Sequence, residues 1–240
     1  MSKSLDISVI QTGAFFVNTL IVPICEKYIF IVDPGACEFS GDEHKIISYI
    51  SKSELIPVAV VLTHGHFDHI FGLPSLKAAF QNLPIVIHKL DKNMLGTSSA
   101  DIQKKYLSQM GLEQFLPAVS NLPEASAFLE ENKTLSDCVP LNFADVEKSA
   151  ETESKIKSAL QKWKIIHTPG HTPGSVCLYN ESDKYLISGD TLFYHSFGRT
   201  DLYGGNESEL FKSLKLLRNL IKYDTLVYPG HEFCGFRFDE

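Results

Sequence analysis

The sequence predicts a single α/β domain of 240 residues, and three observations support this interpretation. Residues 57–62 (PVAVVL) form an uninterrupted apolar run, the kind that is buried on both faces of a sheet. Segments with helical spacing alternate with strand-like segments on both sides of this run. No internal repeat and no linker-like change in composition divides the chain, so one domain spanning residues 1–240 is the simplest interpretation.

The elements follow from local patterns. Nine β-rich segments bounded by turn residues are predicted strands: residues 7–10, 19–24, 28–32, 57–62, 85–88, 163–167, 175–179, 185–188 and 225–228. Three segments with apolar residues at helical spacing are predicted helices: residues 42–56, 73–80 and 207–221. The signal weakens over residues 96–162, where only short helical pieces are indicated. Residues 147–157 contain almost no apolar side chains, which predicts a solvated helix or a mobile loop.

The composition excludes several classes of protein. Hydrophobic residues make up 44% of the chain and charged residues 21%, which suits a well-filled core and argues against disorder. The net charge of -7, from 22 Lys+Arg and 29 Asp+Glu, disfavours a nucleic-acid partner. No apolar run approaches the roughly 20 residues that a membrane span needs. The N-terminal segment carries a charge where a signal peptide needs apolar residues, and the five cysteines are scattered without a C-x-x-C pair. We therefore expect a soluble, cytoplasmic protein that acts on a small molecule.

A cluster of histidines and an aspartate follows the apolar strand. His64 and His66 are two residues apart on extended backbone, so their side chains point to the same side and are able to share one metal ion. Asp68 and His69 lie on the following turn, within reach of a second ion. Three further candidates come at the ends of later predicted strands, each directly after a glycine: His171, Asp190 and His231. Nitrogen and oxygen ligands without thiolate suit zinc, iron or manganese.

Each of these residues also has an ordinary structural interpretation. An isolated histidine at a strand end is more often hydrogen-bonded than metal-bound, and an aspartate such as Asp190 often caps its own turn. For this reason four histidines are left outside the metal set: His44, His88, His167 and His195. His167 suits a supporting position behind His171. The motif H-x-H-x-D-H specifies four residues within six positions, which coincidence does not explain.

The chain resembles the metallo-β-lactamase-fold hydrolases. The resemblance rests on four motifs in order, THGHFDH, HTPGHTPGSV, SGDTLF and PGH, and covers nearly the whole chain. The segment GDTLF followed by FGRTDL is most similar to the glyoxalase II-type thioesterases, which hydrolyse S-acyl-glutathione, chiefly S-lactoylglutathione. The fold that this resemblance implies is a four-layer αβ/βα sandwich, two sheets flanked by helices, with the site at strand ends along one edge.

The resemblance also implies a dinuclear site. By motif position, His64, His66 and His171 would hold one divalent ion, Asp68, His69 and His231 a second, and Asp190 would bridge both. Zinc is the first expectation for both ions, with iron or manganese as alternatives. A hydroxide between the ions would attack the thioester carbonyl. The catalytic residues would then be Asp68 and Asp190, which hold the ions and orient the nucleophile.

Expectations about substrate binding concern one loop and one region. Arg199 is expected to bind a substrate carboxylate or phosphate, and the alternative is a structural ion pair with Asp201. Three side chains on the same loop are expected to line the pocket: Tyr194, His195 and Tyr203. Nine residues follow His231, so we expect a single-domain member without the helical C-terminal domain of full-length glyoxalase II enzymes. Region 96–162 is interpreted as an insertion that acts as a lid or pocket wall.

Rival functions share this fold. Persulfide dioxygenases have similar motifs but use one iron, held by two histidines and an aspartate. A lactonase remains open, whereas a β-lactamase is disfavoured because no export signal is seen, and a nuclease is disfavoured by the acidic charge. A non-enzymatic metal-binding scaffold is disfavoured because all seven ligand positions are filled. The oligomeric state is not predicted by the sequence.

Overall fold

A computed structural model of the chain describes residues 6–97, 99–141 and 149–240. The strands are β1 (Ser8–Thr12), β2 (Val17–Cys25), β3 (Tyr28–Val32), β4 (Ile56–Val61), β5 (Ile85–His88), β6 (Ala127–Leu129), β7 (Trp163–His167), β8 (Val176–Asn180), β9 (Tyr185–Gly189), β10 (Leu192–Phe193), β11 (Ser196–Phe197), β12 (Leu226–Pro229) and β13 (Phe236–Arg237). The helices are α1 (Lys45–Lys52), α2 (Phe67–Ile70), α3 (Leu73–Ala79), α4 (Ser99–Met110), α5 (Leu116–Val119), α6 (Leu135–Cys138), α7 (Ala150–Leu160) and α8 (Glu207–Leu220). Short 3-10 helices cover Glu38–Ser40, Lys89–Met94 and Glu113–Phe115.

The strands form two large sheets and a small ribbon. The first sheet has the order β1-β2-β3-β4-β5-β6, antiparallel from β1 to β3 and parallel from β3 to β6. The second has the order β13-β12-β9-β8-β7, with β9 and β12 parallel and the remaining pairs antiparallel. Strands β10 and β11 pair with each other. Each strand that the sequence pattern predicts overlaps one of these strands.

Three apolar clusters set the layers. One joins the first sheet to α1, α3 and α4, and contains Ile31 and Leu76. A second lies between the two sheets, where the rings of Phe30 and Trp163 meet edge to face with centroids 5.4 Å apart. The third joins the second sheet to α8 through Leu217. The order is therefore helices, sheet, sheet, helix, which confirms the predicted four-layer αβ/βα sandwich.

Local chemistry explains the helix boundaries. Helix α8 begins after Asn206, whose side-chain oxygen accepts a hydrogen bond from the backbone N–H of Glu209. Helix α1 is shorter than the predicted 42–56 and begins only at Lys45. Asp42 lies outside the helix, and its carboxylate accepts hydrogen bonds from the backbone N–H groups of Gly13 and Cys37 and from the hydroxyl of Ser40.

The described part of region 96–162 is built into the sandwich. Strand β6 extends the first sheet beside β5, and α7 packs against β2. The solvated helix or mobile loop predicted over 147–157 is a helix from residue 150 onward; residues 147 and 148 lie outside the described residues. Its charged residues face solvent, whereas Ile156 and Leu160 are fully buried between the sheets. Of the two alternatives, residues 150–157 form the helix and not the loop, because sparse apolar side chains at the right spacing suffice to bury one stripe of a helix.

All five cysteines are free thiols. Over residues 6–97, 99–141 and 149–240, the longest apolar helices fall short of the length and hydropathy that crossing a membrane requires.

Candidate metal centre

The seven predicted ligands lie in loops that follow strands of both sheets. His64 and His66 come after β4, and Asp68 and His69 lie on α2 directly beyond them. The remaining three follow β7, β9 and β12 of the second sheet: His171, Asp190 and His231. Because these strand ends meet at one edge of the sandwich, the structure brings all seven side chains together.

Among the described residues, three groups of possible metal ligands form around this edge: one joins Asp33 to His64 and His69, and the other two are triads made only of predicted ligands. In the first triad, one ligand atom from each of His64, His66 and His171 lies within 4.8 Å of the others, and all three residues are buried. Nδ1 of His66 is 2.8 Å from Nε2 of His171. In the second, Asp68, His69 and His231 meet the same criterion. Nε2 of His231 is 3.2 Å from both Nε2 of His69 and Oδ2 of Asp68.

Asp190 lies between the two triads. Its Oδ2 atom is 3.5 Å from Nε2 of His171 and 3.6 Å from Nε2 of His231, and its Oδ1 atom is 3.5 Å from Nε2 of His69. One carboxylate therefore faces ligand atoms of both triads, which is the position that a bridging ligand occupies.

The residues fit a pair of cations. Among the described residues, Nε2 of His64 and Oδ1 of Asp190 are buried and have no hydrogen-bond partner. Such atoms are nearly always satisfied in folded proteins, and each unsatisfied one costs about 1–3 kcal/mol. Both face the point where imidazole nitrogens and carboxylate oxygens converge. A donor set of nitrogen and oxygen without thiolate suits zinc, iron or manganese.

Hydrogen bonds on the far side of the rings select the tautomer. Four imidazoles use Nδ1 as the donor and so keep the Nε2 lone pair for the centre: His171 to the Arg199 carbonyl (2.7 Å), His231 to the Phe15 carbonyl (3.1 Å), His69 to Oδ2 of Asp33 (3.0 Å) and His64 to the Thr63 hydroxyl (3.0 Å). Such outer partners orient metal-binding histidines and raise their basicity.

Asp33 is a buried residue of the candidate centre that the sequence analysis missed. The Asp33-Pro34-Gly35 segment has the composition of a simple turn. In the structure Asp33 is buried and accepts hydrogen bonds from the Thr63 backbone N–H (2.8 Å), the Thr63 hydroxyl (2.6 Å) and His69. Asp33 comes directly after the buried strand β3, and this position is the signal that would have placed it at the edge of the sandwich where the predicted ligands meet.

Burial and charge set the protonation of the ligands. Burial lowers the pKa of His64 and His66 well below the usual histidine range, and it lowers that of His171 as well. These rings are therefore neutral, the form that binds a metal. Burial alone would raise the pKa of Asp190, but the neighbouring His69, together with His171 and His231, outweighs it and holds that pKa well below the usual range. The bridging carboxylate is therefore ionised.

The second triad behaves differently. Burial lowers the pKa of His69, but the carboxylates of Asp190, Asp68 and Asp33 outweigh it and raise the pKa well above its ordinary value. The pKa of His231 is also raised: burial opposes the rise, and the hydrogen bond to Asp68 drives it. Excess negative charge at this triad therefore attracts cations, and in the metal-free protein those cations are protons.

A cavity of about 600 Å³ opens onto the centre. Five of the seven predicted ligands reach its wall: His66, Asp68, His171, Asp190 and His231. Seven apolar side chains, none of them predicted to line the pocket, form much of the rest: Phe15, Phe16, Phe67, Met110, Phe193, Phe197 and Leu202. The remaining lining residues are Gln11, Ser196, Arg199 and Glu232.

The predicted substrate-binding residues occupy different places. Arg199 lines the cavity, and its guanidinium forms two 2.7 Å hydrogen bonds with Asp201, which is the ion pair that the sequence left as an alternative. Tyr194, His195 and Tyr203 are not among the described residues that line the cavity. Of the described residues in region 96–162, Met110 lines the cavity. That this region acts as a lid or pocket wall stays a prediction.

The histidines left outside the metal set lie apart from the triads. The rings of His88 and His167 stack with centroids 4.3 Å apart, and Nε2 of His167 donates to the Pro173 carbonyl (2.9 Å). The ring of His195 packs against that of Tyr194, with centroids 3.9 Å apart and the planes tilted by 47°. His44 precedes α1.

Comparison with known proteins agrees with this geometry. The probable metallo-hydrolase YqgX of Bacillus subtilis is 30% identical over 95% of this chain and 89% of its own length. The hydroxyacylglutathione hydrolase GloC of Haemophilus influenzae is 27% identical over 95% of this chain and 91% of its own.

Two solved structures are similar over nearly the whole chain. TTHA1623 in a di-iron-bound form has a TM-score of 0.70 and 27% identity, over 97% of this chain and 95% of that one. The B3 metallo-beta-lactamase BLEG-1 has a TM-score of 0.73 and 26% identity, over 95% and 92%. The family profile of the metallo-beta-lactamase superfamily matches residues 12–231. With this match, the sandwich fold and the two triads, the chain belongs to the metallo-beta-lactamase superfamily as a metallo-hydrolase.

Proposed function

We propose that this protein is a thioesterase that hydrolyses thioesters of the S-acyl-glutathione type with two divalent metal ions. The observation that carries the proposal is the second triad. Asp68, His69 and His231 complete a position for a second ion beside the first triad, and Asp190 faces both. The similarity to hydroxyacylglutathione hydrolase supports the choice of thioester.

The protein's own residues prepare the site for hydrolysis. Two bound ions would lower the pKa of a water molecule and polarise the carbonyl of the substrate. The carboxylates of Asp68 and Asp190 would supply the negative charge that retains the ions and orients the attacking water. The apolar side chains of the wall, Phe67 and Phe193 among them, would accommodate the acyl group of such a substrate.

The lining also favours an easy leaving group. Beside the predicted ligands, the charged residues of the described cavity wall are Arg199 and Glu232. Apart from the predicted ligands, no His, Lys, Cys or Tyr side chain of the described residues stands on that wall as a general acid. A thiolate leaves without a proton from the protein, whereas the amine of a cleaved β-lactam needs one. This contrast supports a thioester over an amide substrate.

Enzyme reconstituted separately with Zn²⁺, Fe²⁺ and Mn²⁺ tests the proposal. We expect thiol release from S-lactoylglutathione or a related thioester, and two ions per chain by elemental analysis. Asp190→Asn should lose at least about a hundredfold in kcat/KM, because it removes charge between the ions. Asp239→Asn is the matched control: this exposed carboxylate pairs with Arg237, and its loss should leave activity unchanged.

Two rival substrates belong in the same panel. One iron per chain, with oxygen uptake on glutathione persulfide, would replace the proposal with a dioxygenase. Cleavage of lactones with no thioester activity under any metal would replace it with a lactonase.

A further inference from the structure

Gly65, the residue between His64 and His66, has both backbone groups bound to buried side chains. Its N–H donates to Oδ2 of Asp91 (3.1 Å), and its carbonyl accepts from Nε2 of Gln103 (2.8 Å). Asp91 lies on the 3-10 helix Lys89–Met94, and Gln103 lies on α4. Both side chains are 0% exposed. The peptide that carries two ligands of the first triad is therefore held from behind by two polar residues outside the site.

Asp91 also reaches the loop that carries the third ligand. Oδ2 accepts from the hydroxyl of Thr172 (2.7 Å), and Oδ1 accepts from the backbone N–H of Gly174 (2.7 Å). A Cβ at Gly174 would lie 2.5 Å from Cγ of Asp91, so glycine is needed for this approach. The Gly65 loop follows a strand of the first sheet and the Thr172 loop a strand of the second. One carboxylate thus joins the two loops whose spacing sets the first triad.

Gln103 holds the other side of the same peptide. Its amide also donates to the Met94 carbonyl (3.1 Å), which determines the orientation of the amide. The oxygen Oε1 is then a buried acceptor without a partner among the described residues, and Nε2 of His66 is buried and unpartnered too. With an ion on Nδ1 of His66, its Nε2 would carry the hydrogen, and the two unpartnered atoms would then be a donor and an acceptor. Tyr106, one turn further along α4, packs its ring 4.5 Å from the His66 ring.

Burial of Asp91 has a cost that simple packing does not explain. All three of its hydrogen-bond partners are uncharged, and a buried carboxylate without a cationic partner loses solvation that such bonds only partly replace. Three acceptor bonds to two separate loops make sense as a means of holding those loops at one spacing.

We propose that Asp91 and Gln103 are positioning residues that hold His64, His66 and His171 at the spacing of the first metal ion. The inference deepens the proposed function, since it concerns the same centre. It does not depend on the identity of the substrate.

Asp91→Asn is the main test. The amide replaces one acceptor oxygen by a donor, which leaves a backbone N–H of Gly65 or Gly174 without a partner. Loss of an outer partner of a metal ligand typically costs 10–100-fold in metal affinity. Gln103→Met keeps the length of the side chain and removes its hydrogen bonds, and should weaken the same ion.

Asp42→Asn is a matched control. Asp42 also accepts from two backbone N–H groups and one hydroxyl, but those of Gly13, Cys37 and Ser40, away from the first triad. It should match Asp91→Asn in the number of bonds perturbed and leave the affinity of the first ion unchanged.

The measurement is competition of metal-free protein with a chromophoric chelator for Zn²⁺. His231→Ala identifies the ion that belongs to the second triad. The inference is supported if the Kd of the first-triad ion rises 10–100-fold in Asp91→Asn, rises in Gln103→Met and is unchanged in Asp42→Asn. The melting temperature of each metal-free variant is recorded alongside. Unchanged zinc affinity in Asp91→Asn, or an equal loss in Asp42→Asn, would overturn the inference.

A second variant covers failure to fold. Thr172→Val removes one hydroxyl and should raise the same Kd several-fold; an unchanged Kd there would also refute the proposal. Wild-type protein that binds zinc as expected but cleaves no thioester would defeat the proposed function and leave this inference standing. Wild-type protein with no zinc affinity would defeat both.

Discussion

Gly230 comes directly before His231, and its Cα faces two ligands of the metal centre. A Cβ built on it would lie 2.6 Å from Cε1 of His69 and closer still to Oδ1 of Asp190, where ordinary contacts begin at 3.4 Å. In Gly230→Ala, the Cβ would overlap both groups, so the ring must move by about 0.8 Å and the carboxylate by more. The obstructing atoms belong to side chains, so we expect the fold to survive and the centre to fail.

The size of the effect follows from that displacement. A misplacement of about 1 Å at a catalytic site costs on the order of a hundredfold in rate, which corresponds to about 2.7 kcal/mol. Because Asp190 faces both triads, we expect the number of bound ions to fall together with kcat/KM. Hydrolysis of a thioester and elemental analysis on the same preparation measure both quantities.

Gly41→Ala provides the control. Nothing lies within 4 Å of a Cβ at Gly41, but its φ of +67° is unfavourable for alanine. It should lose about 1 kcal/mol in unfolding free energy and keep full activity. Wild-type kcat/KM and two bound ions in Gly230→Ala would refute the steric reasoning.

Three further predictions concern other parts of the molecule. Burial, with help from His167, lowers the pKa of His88 to about 4, so the stability that neutral His88 contributes is present above pH 6.5 and is lost as the pH falls towards 4. The difference in unfolding free energy between the metal-free wild type and His88→Gln, measured in urea, should therefore shrink over that range. The decrease is at most about 3 kcal/mol, and solvent screening reduces it further; a constant difference would contradict this. Ile156→Ala should cost about 2–5 kcal/mol of unfolding free energy, and a changed ratio of kcat/KM between substrates would show that α7 acts as more than core. Arg199→Ala should raise KM about tenfold for anionic thioesters and leave uncharged ones alone, although Asp201 competes for the guanidinium; an equal effect on both would remove Arg199 from recognition.

The seven side chains that meet at the candidate centre were predictable from sequence because their signals are local. His64 and His66 follow an apolar strand at a spacing that allows one ion, and a histidine or aspartate after glycine marks each later strand end. Strand and helix patterns were reliable wherever burial repeats at a regular interval, as in β4 and α8. The layer order came from the family resemblance, and the three apolar clusters confirm it.

Residues whose role depends on the meeting of distant segments escaped prediction. Asp33 has the local composition of a turn, and Asp91 stands among charged neighbours that suggest a surface helix. Their burial depends on which loops fold over them, and no local pattern encodes that. The strand and helix of region 96–162 escaped prediction because their sequence signals are short. Strand β6 has three residues, and α7 buries only Ile156 and Leu160.

The position of the centre between the sheets connects its chemistry to the fold. Each triad takes ligands from loops of both sheets, so a bound ion would join the two halves of the sandwich. The protein supplies its own cross-links at the same edge: the amide of Asn18 on β2 donates to the carbonyls of Pro229 (3.1 Å) and Glu232 (3.0 Å), which flank the His231 loop. The backbone N–H of Val176 donates to the Thr63 carbonyl (2.9 Å), beside His64. Because these bonds place the two ligand loops before any ion binds, less ordering remains to oppose metal binding, and the geometry of the centre depends on how the sheets are packed.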